Sequence, residues 1–162
     1  MKSIKLKMLF AFITSVSTIS VIYLCFFYYV KIDAIYQGED YVKLIHENCK
    51  STVILVSNIP ITARGRLSLW KKEKEKDNVM MNMPLQKQCD VVYFVKNDPE
   101  PPLFSEDVKY WQADEQLCFR GEMNGACISN KNIFMSVSLF SLATDGVYRD
   151  TYKDKIVYVS YR

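Results

Sequence analysis

The side chains that carry out hydrolysis are scarce in this sequence. A hydrolytic triad needs a base, usually histidine, beside its nucleophile, and the only histidine is His46, followed by Glu47. A lone histidine near the start of a strand is typical of a structural role. The sequence contains no nucleophile elbow, P-loop, dinucleotide-binding motif or H-E-x-x-H motif. These observations predict that the protein is not an enzyme.

Two other sets of residues have side chains of the kinds that form catalytic or metal sites. The adjacent carboxylates Glu106–Asp107 and Asp114–Glu115 are of the type that a glycosidase uses, but charged neighbours surround them, as on an ordinary surface. Thioethers bind cuprous copper, yet clustered methionines in a loop are usually gap-filling hydrophobes; the cluster here is Met80, Met81 and Met83. We therefore predict no cofactor and no metal.

The cysteines point to covalent cross-links. Apart from Cys25, the chain has Cys49, Cys89, Cys118 and Cys127. An even number in an oxidising compartment predicts two disulfides, with three possible connectivities. Short strand-like runs around Cys118 and Cys127 flank an Asn-Gly turn signal, so this pair is favoured, and Cys49–Cys89 follows by elimination. No C-x-x-C pair supports a zinc ribbon or a thioredoxin-like site.

Arg64, Gly65, Arg66 and Trp70 form the candidate interaction patch. Tryptophan and arginine are favoured interface anchors. Trp70 also continues the helical spacing of two earlier apolar residues, so a core position is the alternative. The run from Lys71 to Lys76 is expected to be the solvated end of the same helix, because its charges nearly cancel.

The elements that position these residues predict an α+β domain. Residues 52–57 are a β-branched apolar run typical of a buried strand, and Thr62 is placed to cap a helix from Ala63 to about Asp77. Further strands are expected at 90–95, 133–140 and 156–161. One main helix and five or six strands predict a mixed or antiparallel sheet with the helix on one face.

The N-terminal residues predict a membrane anchor. Residues 8–30 contain no charged side chain, and a helix of that length spans roughly 34 Å, enough for a hydrocarbon core of about 30 Å. Cleavage as a signal peptide and lipidation at Cys25 are the alternatives to a retained anchor. The lysines before the span place the N-terminus in the cytoplasm of an inner-membrane, single-pass protein and the remainder in the periplasm.

These boundaries divide the chain into three parts. Residues 1–30 are the cytoplasmic tip and single transmembrane helix, residues 31–48 are a juxtamembrane tether with a helical turn or a first strand, and residues 49–162 are the exported domain. Residues 31–162 carry 18 basic and 18 acidic side chains. A neutral body has no broad electrostatic footprint for nucleic acid. The expected partners are the lipid bilayer, through residues 8–30, and a protein.

The sequence resembles a family of small enterobacterial membrane proteins of unknown function, domain-of-unknown-function family nine-four-three. The resemblance rests on an N-terminal span, the run 53–62, Arg64-Gly65-Arg66 and Trp70, and later on 117–119, 127–128, 130–132 and 135–136. The extra Cys49 and Cys89 depart from that family, so the resemblance does not imply the second disulfide. It implies no catalytic residue.

Together these observations favour a non-enzymatic, membrane-anchored protein with a periplasmic binding domain. Immunity to a toxin delivered between bacteria is one specific version of this hypothesis. The alternative is a structural subunit of a membrane complex that assembles through a Ser/Thr-rich face of the transmembrane helix.

Overall fold

The computed structural model describes residues 7, 10, 12–21, 30–42, 45–76, 85–103, 115–118, 126–141 and 146–161. The carboxylates of 106–107, Asp114, the methionines of 80–83, the Asn124-Gly125 turn and Cys25 lie outside these residues. The described elements follow in the order β1 (Lys31–Val42), β2 (Glu47–Ser57), α1 (Ala63–Lys74), β3 (Val91–Lys96), β4 (Gln116–Cys118), β5 (Cys127–Ser129), a short 3-10 helix (Asn130–Asn132), β6 (Ile133–Ser138), β7 (Val147–Tyr152) and β8 (Lys155–Tyr161).

Six of these strands form one mixed sheet in the order β1-β2-β3-β6-β8-β7, and β4 pairs separately with β5. Strands β2 and β3 are parallel, and α1 makes the crossover between them. The other neighbouring strands of the sheet are antiparallel. Parallel neighbours require such a crossover because the chain has to return to the starting edge of the sheet.

Alternating side chains of β2 pack on opposite faces of the sheet, as the strand period of two requires. Ile54 and Val56 pack in the cluster that contains Leu69 and Trp70 of α1. Val53 and Leu55 pack in a second cluster with Leu117 of β4 and Ile128 of β5. The central sheet is therefore covered by α1 on one face and by the β4–β5 hairpin on the other, which is why β2 is apolar along its whole second half.

The expected fold class, an α+β domain after a single N-terminal transmembrane helix, is wrong. From Lys31 onward the described chain is mostly β-sheet with two short helices, α1 and the 3-10 helix. No helix among the described residues is long and apolar enough to cross a membrane.

Strand β1 occupies most of the range 31–48, which was expected to be a tether with a helical turn or a first strand. It pairs along its length with β2, and the register shifts between Ile32 and Ala34, so that Asp33 is the extra residue of a β-bulge. The strand lies at the edge of the sheet. Its mixed polar and apolar composition follows from that position, because an edge strand buries fewer side chains than a central one.

The helix α1 begins where the sequence predicts and ends three residues earlier than Asp77. Thr62 is its N-cap, and the Thr62 hydroxyl accepts a hydrogen bond from the backbone amide of Gly65 at 3.1 Å. The buried side chains of α1 are Leu69, Trp70 and Glu73. These positions share one helix face, so α1 packs on the sheet along a single stripe.

Both disulfides connect the cysteines paired in the sequence analysis. Cys49 is bonded to Cys89 with a Cα–Cα distance of 5.5 Å, and Cys118 is bonded to Cys127. Asp90, which is buried, accepts hydrogen bonds of 2.8 Å from the backbone amides of Lys50, Gln86 and Lys87. The Cys49–Cys89 bond and the Asp90 carboxylate thus hold the segment before β3 against the start of β2.

Candidate functional site

The predicted patch of Arg64, Gly65, Arg66 and Trp70 lies on α1, and most of it is used for packing. A Cβ atom built on Gly65 would lie 2.8 Å from the Cβ of Pro60. Real Cβ atoms do not approach so closely, so a glycine is needed where the loop before α1 folds back onto the helix. The Arg66 side chain also contacts this loop, because its Nε donates to the carbonyl of Pro60 at 3.0 Å.

Trp70 is fully buried, in agreement with the core alternative. Its indole Nε1 donates to Asp150 Oδ2 at 2.8 Å, and Lys74 Nζ lies 2.7 Å from the same oxygen. The indole ring also meets Tyr152 edge-on, with 6.0 Å between centroids. Trp70 therefore joins α1 to β7, and of the four patch residues Arg64 alone is classed as exposed.

Asp150 remains ionised at this junction. Burial acts to raise the pKa of its carboxyl group, but hydrogen bonds from Lys74, the Thr151 amide and Trp70, with the charge of Lys74, outweigh burial and hold the pKa below its ordinary value. The carboxylate is thus a fixed acceptor between helix and sheet. This geometry is structural and leaves no oxygen directed toward a ligand.

A different polar site lies where the parallel strands β2 and β3 end. From β2 the chain continues into α1 on one face of the sheet, and from β3 it continues toward the β4–β5 hairpin on the other face. Connections that leave neighbouring parallel strands toward opposite faces open a crevice beyond the carboxyl ends, the usual location of binding sites in such sheets. We call this region the carboxyl-edge surface and define it as Lys31, Asp33, Ser57, Ile61 and Asn97.

The bulged Asp33 is the centre of the carboxyl-edge surface. Its Oδ2 accepts hydrogen bonds from the hydroxyl of Ser57 and, at 2.9 Å, from Nδ2 of Asn97. Lys31 Nζ lies 3.4 Å from Oδ1. Asn97 also ties the two strands together, because its backbone amide donates to the Val56 carbonyl at 3.1 Å. Three segments that are distant in sequence therefore meet at one carboxylate.

The pKa of Asp33 is lowered, first by the Ser57 hydrogen bond and then by that of Asn97, against the opposing effect of burial and with a further contribution from Lys31. The cluster thus presents fixed hydrogen-bonding groups at this edge of the sheet.

His46 and Ser57 lie at opposite ends of the β1–β2 hairpin. His46 precedes β2, whereas Ser57 is its last residue, so the two are about 36 Å apart along an extended strand. Within the described ranges, no group of three or more histidine, cysteine, aspartate or glutamate side chains has the geometry to hold a metal ion.

Sequence reasoning did not identify Asp33 or Asn97. Asp33 lies in the segment expected to be a tether, and Asn97 lies just after the strand expected at 90–95. The run Asn97-Asp98-Pro99 after an apolar strand was a usable signal, because polar residues that follow a parallel strand face the crevice. The bulge that turns Asp33 toward Ser57 has no local sequence signature.

The comparisons with known proteins give one match. A family model described as "Enterobacterial putative membrane protein (DUF943)" matches residues 2–156. The matched range includes α1, both disulfides and the carboxyl-edge surface. The resemblance inferred from the sequence is therefore confirmed. No curated protein and no solved structure matches the chain.

Proposed function

The chain belongs to this family of enterobacterial membrane proteins, and from that premise we propose that it is a non-enzymatic protein whose disulfide-bonded domain is exported and binds a protein partner. The two disulfides support export, because such bonds persist in the oxidising periplasm and are rare in the cytosol. The two cross-links also help the domain to keep its folded surface in that compartment.

The observation that carries this proposal is the carboxyl-edge surface. Ser57 and Asn97 hold the Asp33 carboxylate in one position, and Ile61 on the adjoining loop is 81% exposed. An exposed apolar side chain beside fixed polar groups has the composition of a protein interface, in which an apolar anchor is buried and the polar rim sets orientation. Groups that are already ordered lose little entropy on binding.

The same geometry supports the non-enzymatic part of the proposal. The Ser57 hydroxyl donates a hydrogen bond directly to Asp33, and His46, the histidine that a hydrolytic triad would need between these two groups, is at the far end of the hairpin. Nucleophilic catalysis by serine needs a base within hydrogen-bond reach. The cluster therefore fits recognition better than hydrolysis.

Site-directed photo-crosslinking tests the proposal in the full-length protein. A photoreactive amino acid replaces Ile61, which is highly exposed, and a control protein carries it at Ile156, which is 44% exposed on β8. After irradiation of intact cells we expect a discrete adduct from position 61 and none from position 156. If the partner is a toxin delivered between bacteria, the adduct appears only in cells exposed to the toxin-producing competitor.

Two results would contradict the proposal. Absence of an adduct from position 61 under both conditions removes the support for a partner at this edge. Equal adducts from positions 61 and 156 indicate non-specific collision. Substitution of Asp33 by Asn provides a further control, since it alters the polar centre of the surface without touching Ile61 and should weaken the adduct.

A further inference from the structure

The helix α1 concentrates positive charge in an otherwise acidic domain. Between Ala63 and Lys74 it has five basic residues and one acidic residue, a net charge of +4. Residues 31–162 as a whole are neutral, with 18 residues of each sign. The remaining 13 basic and 17 acidic residues therefore have a net charge of −4. The helix α1 therefore carries an excess of positive charge in a domain that is neutral as a whole.

Folding further separates these charges. Glu73 turns inward, where it is 2% exposed and pairs with Lys76 at 2.6 Å. Lys74 pairs with Asp150 at the sheet. In the Lys71–Lys76 run, three of the four lysines but only one of the two acids, Glu75, therefore remain exposed.

The outward side of α1 consists of exposed residues at helical spacing. We define the outer face of α1 as Arg64, Ser68, Lys71 and Lys72, all of them exposed. Lys71 is held over the ring of Tyr148, 5.3 Å from its centroid. In the part of the chain that the structure describes, Arg64 and Lys72 take part in no ion pair. Their charges therefore face the surroundings without a partner of opposite sign in the described structure.

We propose that the outer face of α1 lies against anionic phospholipid headgroups. Lysine and arginine side chains near a membrane surface are attracted to acidic lipids, and the family to which the chain belongs is described as one of membrane proteins. The carboxyl-edge surface then faces sideways and stays accessible, so this inference is independent of the proposed protein partner.

Lysine footprinting of the full-length protein tests the orientation. The protein is placed in nanodiscs of phosphatidylcholine alone or with about 30% phosphatidylglycerol, and the acetylation rate of each lysine is measured by mass spectrometry. We expect Lys71 and Lys72 to react about threefold more slowly, or slower still, in the anionic discs, and about 0.5 M NaCl to abolish the difference by screening. Lys131, exposed on the 3-10 helix, serves as the reference and should react equally in both.

A matched pair of variants identifies the charge that matters. Arg64→Glu adds a negative charge to the outer face without removing a reporter lysine, and should reduce the protection of Lys71 and Lys72. Arg149→Glu makes the same change of charge at an exposed position of β7, keeps Lys131 as the reference and should leave that protection intact. In each variant the four disulfide-bonded cysteines should remain unreactive toward maleimide, which verifies that the domain is folded.

Three results would overturn the inference. Equal acetylation of Lys71 and Lys72 in the two kinds of disc removes any role for lipid charge. If the acetylation of Lys131 is slowed in the anionic discs as much as that of Lys71 and Lys72, the domain has no preferred orientation on the lipid. Protection that occurs in phosphatidylcholine and rises with protein density assigns the outer face of α1 to a second copy of the chain instead of lipid.

Discussion

Trp70 and Asp150 lie 80 residues apart in sequence and are joined by a hydrogen bond of 2.8 Å between the indole Nε1 and the carboxylate Oδ2. The bond connects α1 to β7, the edge strand farthest from β1 in the sheet order. Lys74 contacts the same oxygen, so one carboxylate satisfies a buried indole and a largely buried ammonium group together. The position of the helix on the sheet depends on this contact.

We expect Trp70→Phe to destabilise the domain by about 1–3 kcal/mol, because it removes the indole donor and leaves Asp150 with one partner fewer in a buried site. Chemical denaturation followed by circular dichroism measures the change. In a double-mutant cycle with Asp150→Asn, the two effects should be less than additive. Strict additivity would show that the two side chains do not interact.

The stability of the domain should fall as the pH decreases below about 4. The pKa values of Asp33 and Asp150 are lowered in the folded state, so the two ionised carboxylates stabilise the folded protein. Their contribution to the free energy of unfolding is complete above the pKa of an unfolded aspartate, and it is lost as the pH falls through the lower pKa values of the folded state. Asp33→Asn should flatten the acid limb of a plot of unfolding free energy against pH. Asp98→Asn is the matched control, since Asp98 is exposed and pairs with Lys96 on the surface; the same flattening in both variants would refute the assignment to Asp33.

Gly65→Ala should destabilise the protein by about 1–3 kcal/mol, although alanine is the better helix former. The new methyl group would meet the Pro60 side chain at 2.8 Å, and the loop before α1 would have to move. Ser68→Ala, at an exposed position of the same helix, should be nearly neutral. Thermal melts of the two variants give the comparison. Equal melting temperatures would show that a methyl group at position 65 can be accommodated next to Pro60 without loss of stability.

The two disulfides should contribute unequally. Cys49–Cys89 closes a loop of 40 residues and Cys118–Cys127 one of 9, and in the entropic treatment this difference makes the longer loop more stabilising by about 1.3 kcal/mol. Paired Cys→Ala variants measured by denaturation test the order. A maleimide mass tag should label all four cysteines only after reduction, and free labelling without reductant would also contradict the proposed export of the domain.

Several elements were predictable because local sequence determines them. The β-branched run of β2, the Thr62 cap and the short strands that hold Cys118 and Cys127 each depend on a few residues. The fold class was not predicted correctly, and no helix among the described residues is long and apolar enough to cross a membrane. The strand content was underestimated because β1 is an edge strand, and its charged residues hide the strand pattern.

The candidate site depended on contacts that no local pattern records. Asp33 reaches Asn97 across 64 residues of sequence, through the pairing of β1 with β2 and of β2 with β3. The Arg64-Gly65-Arg66-Trp70 motif, in contrast, was conspicuous in sequence because it packs the helix. The arginine, glycine and tryptophan residues that stand close together in sequence are used mainly for packing. The polar cluster is formed instead by Asp33, Ser57 and Asn97, which are common residue types at distant positions in the sequence.

The Cys49–Cys89 bond has a kinetic consequence. Cys49 and Cys89 each lie two residues before the first pair of the parallel ladder, Ser51 and Val91. In the oxidised chain these strand starts are already adjacent and in register, so the slow search that parallel pairing otherwise imposes is shortened. A chain that is oxidised early should therefore fold faster and expose its apolar strands for less time than a reduced one. The Cys49–Cys89 bond therefore speeds the formation of the crossover in addition to stabilising the finished domain.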